Sequence, residues 1–309
     1  MSETLRLWSV TEILKMTIPM PYLVGWAARV TAEAGVHQRA AWLPMAEVDP
    51  VGAVNYLKEA RWRTSGRAAD RGNALHAHSR ALALGAPVPP PPEGAEQHIV
   101  QFEKFLAEWQ PKFIAAEQPV YNAAHKYAGT LDAIVEIEGL TLLADYKTTD
   151  KGPDDDGARP PYDEVGLQLC AYRNAEVLGL APSKQQQDQK KRRYYSWDQS
   201  APSVPMVPVD GAVCLVVSPV DYALHPIRTD DAVWQTFLHC LELARWELEI
   251  ARTVVGAAMV PPRQSSEQAV LAEAAQMVSE GVLVEPAEGT FEEFVHETRE
   301  QNLATGGPA

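Results

Sequence analysis

The chain has 309 residues, of which 46% are hydrophobic, and it carries a formal net charge of −14. This length and composition exclude a chain that is disordered throughout, and they predict one large domain or one domain with appendages. No run of about 18 apolar residues occurs, and the first ten residues lack the basic and apolar regions of a secretory signal. We therefore expect a soluble, cytoplasmic protein with no membrane partner.

The first third of the sequence has the pattern of helices. Residues 9–12 fit a capping box, and Asp49-Pro50 fits an N-cap followed by proline at the first helical position. Helix-forming residues then continue over 64–84 until a glycine stops them. We predict an N-terminal helical region over residues 1–92, which ends in a proline-rich spacer.

Beyond this region, the apolar pattern alternates between strand and helix periods. The predicted strands are 113–121, 127–138, 140–148, 211–220 and 222–228. The predicted helices are 96–109, 163–180 and 230–255. We read residues 183–193 between them as a polar, exposed loop. The sequence thus predicts an α/β core with a mixed sheet flanked by helices over residues 93–258, followed by an acidic tail at 259–309.

The charge is distributed unevenly along the chain. Residues 58–80 and 184–193 each carry a net charge of +4, whereas residues 264–309 carry −8. Because phosphate binding depends on Lys and Arg, the basic stretches are compatible with a polyanionic partner despite the negative total. The three cysteines are far apart in apolar surroundings, which supports neither a disulfide framework nor a cysteine metal cage.

The two central strands bring three charged residues together. If Glu138 and Gly139 form a two-residue hairpin turn, antiparallel pairing places Asp132 directly opposite Asp145, and Lys147 projects from the same face. Two carboxylates and an ammonium group on one face could bind a magnesium or manganese ion and act on a phosphate. The alternative is a weak ion pair on a solvent-facing strand.

The spacing of these residues resembles a known signature. Gly129-Thr-Leu-Asp132, followed after an interval by Asp145-Tyr-Lys147, is similar to the motif of the PD-(D/E)xK nuclease superfamily, with Leu in place of Pro. Two flanking elements resemble its RecB-type exonuclease branch. These elements are Gly72-Asn-Ala-Leu-His76 on a predicted helix and Gln168-Leu-Cys-Ala-Tyr172 on the helix after the motif.

The resemblance implies a restriction-endonuclease-like core and a specific set of site residues. The implied metal ligands are the side chains of His76, Asp132 and Asp145 and the backbone carbonyl of Tyr146. The implied catalytic residues are Asp132, Asp145, Lys147 and Glu117, an acidic position on the preceding strand. The residues implied to position the DNA are Gln168 and Tyr172.

Other basic residues are candidates for DNA contacts. Arg67 and Arg71 lie on the helix of His76, although a solvated helix face is an equal alternative. Lys191, Arg192 and Arg193 precede aromatic residues that could stack on unpaired bases, and a solubilising loop is the alternative there.

The predicted function is a Mg²⁺- or Mn²⁺-dependent DNA exonuclease that serves recombination, repair or replication. Three scattered cysteines cannot supply the four ligands of the iron–sulfur cluster found in one branch of the family, so we expect no cluster. The chain also lacks a P-loop motif, so any helicase or recombination protein would be a separate partner. The alternative is a catalytically silent DNA-binding or partner-docking module that retains the nuclease fold. A restriction-type endonuclease is disfavoured by the element from Gln168 to Tyr172.

Overall fold

The computed structural model describes residues 4–150, 160–181, 185–259 and 267–280. Its helices are α1 (Val10–Thr17), α2 (Tyr22–His37), α3 (Arg39–Val48), α4 (Pro50–Lys58), α5 (Ala60–Ala83), α6 (Glu96–Trp109), α7 (Glu164–Arg173), α8 (Asp231–Arg245), which a π-helical turn (Trp246–Ile250) follows, and α9 (Glu267–Ser279). Its strands are β1 (Thr4–Ser9), β2 (Lys112–Asn122), β3 (Tyr127–Ile137), β4 (Leu140–Thr148), β5 (Val177–Gly179), β6 (Gln186–Gln187), β7 (Arg193–Asp198), β8 (Ser203–Pro205), β9 (Gly211–Val217) and β10 (Tyr222–Ile227).

The chain divides into two compact units, Met1–Glu242 and Leu243–Ala309. The boundaries predicted after residues 92 and 258 do not coincide with this division. Most of the predicted acidic tail lies outside the described residues. Its described part contains the helix α9. Among the helices that the structure describes, none is long and apolar enough to cross a membrane.

The first unit is built on a mixed ten-stranded sheet. Its main path runs β10-β9-β4-β3-β1-β7-β6, and β2, β5 and β8 extend it from the other edge of β3. The β4–β9 and β1–β3 pairs are parallel, and the remaining pairs are antiparallel. Helices α5 and α6 pack on one face through an apolar cluster that includes Leu75, Phe102 and Leu215. The predicted α/β class with a mixed sheet flanked by helices is confirmed.

The predicted hairpin between β3 and β4 is confirmed. Glu138 and Gly139 have φ angles of 49° and 82°, as a turn that matches the twist of the strands requires. Ile137 therefore pairs with Leu140, and the register continues to Ala133 opposite Ala144. This register carries Asp132 and Asp145 to the next opposed position, as the sequence predicts.

Beyond that point the two strands separate. Strand β4 continues beside β9 as far as Thr148, whereas the same edge of β3 next pairs with β1, at Tyr127 and Ala128. Within the described part of the chain, residues 129–132 thus have no strand neighbour on this edge. We call this opening between β3 and β4 the fork.

Strand β1 was not predicted, because its six residues lie in a region read as helical. Leu7 is fully buried, and Trp8 pairs with both Tyr127 of β3 and Tyr194 of β7. Six residues are too few for alternation to stand out against a following helix. The predicted capping box at residues 9–12 is also wrong, because the Ser9 hydroxyl bonds the Thr11 hydroxyl at 2.8 Å rather than capping α1.

Several helix ends differ from the prediction. Helix α7 ends at Arg173, where the Asn174 side chain donates to the Cys170 carbonyl. Val177 and Leu178 then pair with β2, so the second half of the predicted helix 163–180 is wrong. In place of the helix predicted over 230–255, the structure has α8, which ends at Arg245, followed by the π-helical turn. The predictions for 64–84 and 96–109 are confirmed within a few residues, and Asp49 caps α4 through Gly52.

The segment predicted as an exposed loop at 183–193 contains structure where it is described. Strands β6 and β7 form a hairpin around Asp188, whose carboxylate accepts from the backbone N–H groups of Lys190 and Arg192. The first part of the predicted loop, 182–184, lies outside the described residues.

Candidate metal centre and active site

Helix α5 places His76 over the fork. Leu75, its neighbour, is fully buried in the core under α5, which fixes the rotation of the helix against the sheet. The Nδ1 atom of His76 lies 2.7 Å from Oε1 of Glu117 and 3.7 Å from Oδ1 of Asp132. The imidazole therefore faces two carboxylates rather than solvent.

Strand β2 supplies Glu117 through an unusual backbone conformation. Glu117 has a φ of 51°, and the β2–β3 ladder skips its pairing with Asp132 while both neighbouring pairs are kept. A non-glycine residue in this left-handed region costs of order 1–3 kcal/mol, and such residues cluster at functional sites. The residue with the strained backbone is thus the one whose carboxylate contacts His76.

Strand β3 supplies Asp132 at the inner end of the fork. Its Oδ2 atom accepts a hydrogen bond from the backbone N–H of Tyr146 at 2.7 Å, just where regular β3–β4 pairing has ended. Its Oδ1 atom faces His76. Asp132 therefore joins the two strands and presents a carboxylate oxygen to the site.

One atom from each of His76, Glu117 and Asp132 lies within 4.8 Å of the others, a spacing that fits a metal ion. The donor set is one imidazole nitrogen and two carboxylate oxygens. Carboxylate oxygens suit Mg²⁺ and Mn²⁺, and Mn²⁺ also accepts imidazole. These residues therefore fit the predicted divalent cation, which would sit between α5 and the fork.

Asp145 lies beside this group but is held differently. Its Oδ2 atom pairs with Nζ of Lys147 at 2.6 Å, and its Oδ1 atom accepts from Nε2 of Gln168 at 3.0 Å. The structure thus groups His76, Glu117 and Asp132, and Asp145 lies beside them in contact with Lys147 and Gln168. The implied ligand set of His76, Asp132, Asp145 and the Tyr146 carbonyl stays a prediction.

The charged groups of the site shift one another's pKa values. Burial, and then repulsion by Asp145, raises the pKa of Asp132 to about 7. Burial lowers the pKa of His76, but the carboxylates of Asp132 and Glu117 outweigh it and raise the pKa to about 9. Burial likewise lowers the pKa of Lys147, and Asp145 and Asp132 outweigh it, so this pKa is raised. Positive charge is therefore favoured at this site, as two buried aspartates require.

Helix α7 closes the site through Gln168 and Tyr172, which lie one turn apart on the same face. The Tyr172 side chain packs directly on Gly129, where a Cβ atom would lie 2.8 Å from Cζ and 2.9 Å from the hydroxyl oxygen. Tyr172 is only 3% exposed, so its ring packs inside the protein, and Gln168 donates to Asp145. The implied role of these two residues in positioning DNA stays a prediction.

The predicted DNA-contacting cations differ in availability. Arg67 is exposed on α5, but Arg71 is largely covered and pairs with Asp150. Lys191 is exposed, whereas Arg192 pairs with Asp188 at 2.7 Å and Arg193 pairs with Glu12 at 3.4 Å. Arg67 and Lys191 are thus the exposed residues among these cations, and the side chain of Arg193 keeps 38% of its surface exposed beside Glu12.

The aromatic residues that follow these cations are mostly in the core. Tyr195 and Trp197 are 3% and 7% exposed, and Trp197 stacks on Tyr121 with ring centroids 4.8 Å apart. Alternate residues of a strand point to opposite faces, so these two rings pack inward together. The expectation that these two rings stack on bases is therefore wrong.

Sequence patterns did not reveal one neighbour of the site. Cys214 of β9 is fully buried and donates from Sγ to Oδ2 of Asp145 at 3.6 Å. Burial, and then the Asp145 carboxylate, raises the pKa of this thiol. The pairing depends on the parallel β4–β9 register, which sets Cys214 opposite Asp145 across 69 residues. No local motif carries this information.

Comparison with known proteins adds no family assignment. No protein-family model matches the chain, and a search of curated proteins found no significant match. Arguments about function therefore depend on the site itself.

Proposed function

We propose that this protein is a Mg²⁺- or Mn²⁺-dependent DNA exonuclease of the PD-(D/E)xK superfamily, in its RecB-type branch. The observation that supports this most is the group of His76, Glu117 and Asp132, with ligand atoms within 4.8 Å, beside the ion pair between Lys147 and the buried Asp145. A weak surface pair would need none of these features. The α/β class with a mixed sheet is compatible with the expected nuclease core.

Each residue has a distinct task in the proposed reaction. His76, Glu117 and Asp132 hold the cation, which would supply charge neutralisation at the scissile phosphate and activation of a water molecule. Lys147 keeps its ammonium group beside the site and stabilises the negative charge that develops on the phosphate oxygens. Asp145 holds that ammonium group in place and is itself oriented by Gln168.

Phosphodiester hydrolysis requires positioning and electrostatic stabilisation more than a covalent nucleophile. The site accordingly needs no serine or cysteine nucleophile. Cys214 is buried and its pKa is raised, so it remains a thiol rather than a reactive thiolate. The proposed reaction is therefore direct attack by water.

The test is digestion of end-labelled linear, circular and single-stranded DNA with Mg²⁺ or Mn²⁺. We expect the wild type to release nucleotides from the ends of linear DNA and to leave closed circles intact. Glu117→Gln should lose this activity, whereas Glu103→Gln, which changes an exposed acid on α6, should keep it.

Two outcomes would contradict the proposal in different ways. Cleavage of closed circles would make the enzyme an endonuclease. Binding of DNA by the wild type without any cleavage would favour the catalytically silent DNA-binding module.

A further inference from the structure

Two tyrosines form an exposed stacked pair near the site. The rings of Tyr22, the first residue of α2, and Tyr162, two residues before α7, have centroids 4.8 Å apart and an interplanar angle of 11°. They are 40% and 62% exposed. Because Tyr22 covers one face of the Tyr162 ring, the high exposure of Tyr162 leaves its other face open.

A short series of contacts connects this pair to the site. The Tyr22 hydroxyl donates to Oε1 of Glu164 at 3.4 Å. Glu164 lies one helical turn before Gln168 on the same face of α7, and a turn advances about 5.4 Å. Gln168 in turn contacts Asp145 at 3.0 Å. Tyr22 therefore contacts α7 one helical turn before the residue that contacts Asp145.

We propose that Tyr22 and Tyr162 form a stacking platform for an unpaired nucleobase of the DNA strand that enters the site. This inference deepens the proposed nuclease function and rests on it. Every base has a flat π face, so an exposed aromatic pair binds a strand without reading its sequence. The open face of Tyr162 would take the base, and Tyr22 would keep the Tyr162 ring in position.

The local charge favours a base over a phosphate at this position. The Glu164 carboxylate borders the pair, and a carboxylate repels the phosphate backbone. Inside a duplex both faces of a base are covered by stacked neighbours, so the platform selects single-stranded DNA or a frayed end over a closed duplex. The inference thus names the substrate class of the site.

The experiment measures the affinity of DNA for catalytically inactive protein. A single-stranded oligonucleotide carrying the fluorescent base 2-aminopurine near its end is titrated with Lys147→Ala protein, because stacking on a ring quenches this fluorescence. In that background we expect Tyr162→Leu to weaken binding about 5- to 100-fold and to abolish the quenching, which is the scale of losing one base–aromatic contact. Tyr162→Phe and Tyr162→Trp keep a ring and should retain both.

A matched control separates stacking from general effects. Trp109 at the end of α6 is 40% exposed and donates from Nε1 to the Tyr222 hydroxyl at 3.1 Å, outside the series of contacts from Tyr22 to Asp145, so Trp109→Leu should leave DNA affinity unchanged. Closed circular duplex should bind Tyr162→Leu as well as it binds the parent. If Tyr162 had only a structural role, Tyr162→Leu would instead lower the melting temperature and weaken the binding of both single-stranded and duplex DNA.

Three results would overturn the inference: unchanged single-strand affinity in Tyr162→Leu, equal losses in the Leu and Phe variants, or an equal loss with closed circular duplex. Cleavage by the wild type distinguishes this failure from failure of the proposed function. If the wild type degrades DNA and Tyr162→Leu does so with an unchanged KM, only the platform is refuted. If the wild type neither binds nor cleaves DNA, both proposals fall.

Discussion

Replacing Gly129 by alanine tests how tightly β3 and α7 are joined at the site. A Cβ atom at this position would lie 2.8 Å from Cζ of Tyr172 and closer still to Cε1, whereas ordinary contacts are 3.4–4 Å. The ring must therefore move by about 1 Å, yet it is only 3% exposed. Overpacking of this kind costs about 1–3 kcal/mol, or roughly 2–12 °C in melting temperature for a domain of this size.

Thermal unfolding of four variants measures this effect. Tyr172→Leu removes the ring atoms that collide, so the losses of Gly129→Ala and Tyr172→Leu should not add, and the double variant should recover at least about 1 kcal/mol. Gly66→Ala is the matched control, because it adds a Cβ in open space on helix α5. It should stabilise the protein by about 0.4–1 kcal/mol. If Gly129→Ala melts like the wild type, the packing described here is wrong.

Three further predictions concern Lys147 and Asp132 in the site and Trp197 in the core. Lys147→Met should lower DNA cleavage about 100- to 1000-fold by removing one electrostatic stabiliser, whereas Lys104→Met, which breaks a surface pair 3.6 Å long, should not, as initial rates will show. The pKa of Asp132 is raised to about 7, so in metal-free buffer its contribution to stability is fully present below about pH 4 and is lost as the pH rises through 7. Chemical denaturation across this range should therefore show a decline in the wild type that is smaller in Asp132→Asn, and an equal decline in both would contradict it. Trp197→Ala should cost about 3–5 kcal/mol of unfolding free energy without changing the DNA affinity of the folded protein, because this ring is in the core. Loss of DNA affinity in folded Trp197→Ala protein would restore the original stacking prediction.

The sequence predicts the hairpin well because its signals are local. The positive φ angles of Glu138 and Gly139 and the alternation on both sides determine the register through Ala133 and Ala144. Strand β1 could not be predicted in this way, since its pairing with β3 and β7 joins residues more than a hundred positions apart. Local patterns contain no information on such distant pairing.

The site shows the same division between local and distant information. Motif spacing brings His76, Asp132, Asp145 and Lys147 to one place, as predicted. Motif spacing does not determine whether Glu117 or Asp145 turns its carboxylate toward the imidazole of His76. That choice depends on the left-handed backbone of Glu117 and on the contacts that hold Asp145 away from the group, all of which are tertiary.

Titration of the protein with Mn²⁺ in a calorimeter tests the central claim most directly. We expect the wild type to bind Mn²⁺ at a site that is lost in Glu117→Gln and in His76→Ala, because each removes one of three ligands. Both variants should remain folded by circular dichroism. Undiminished Mn²⁺ binding in the two variants, or no binding by the wild type, would contradict the assignment of this group as a metal centre.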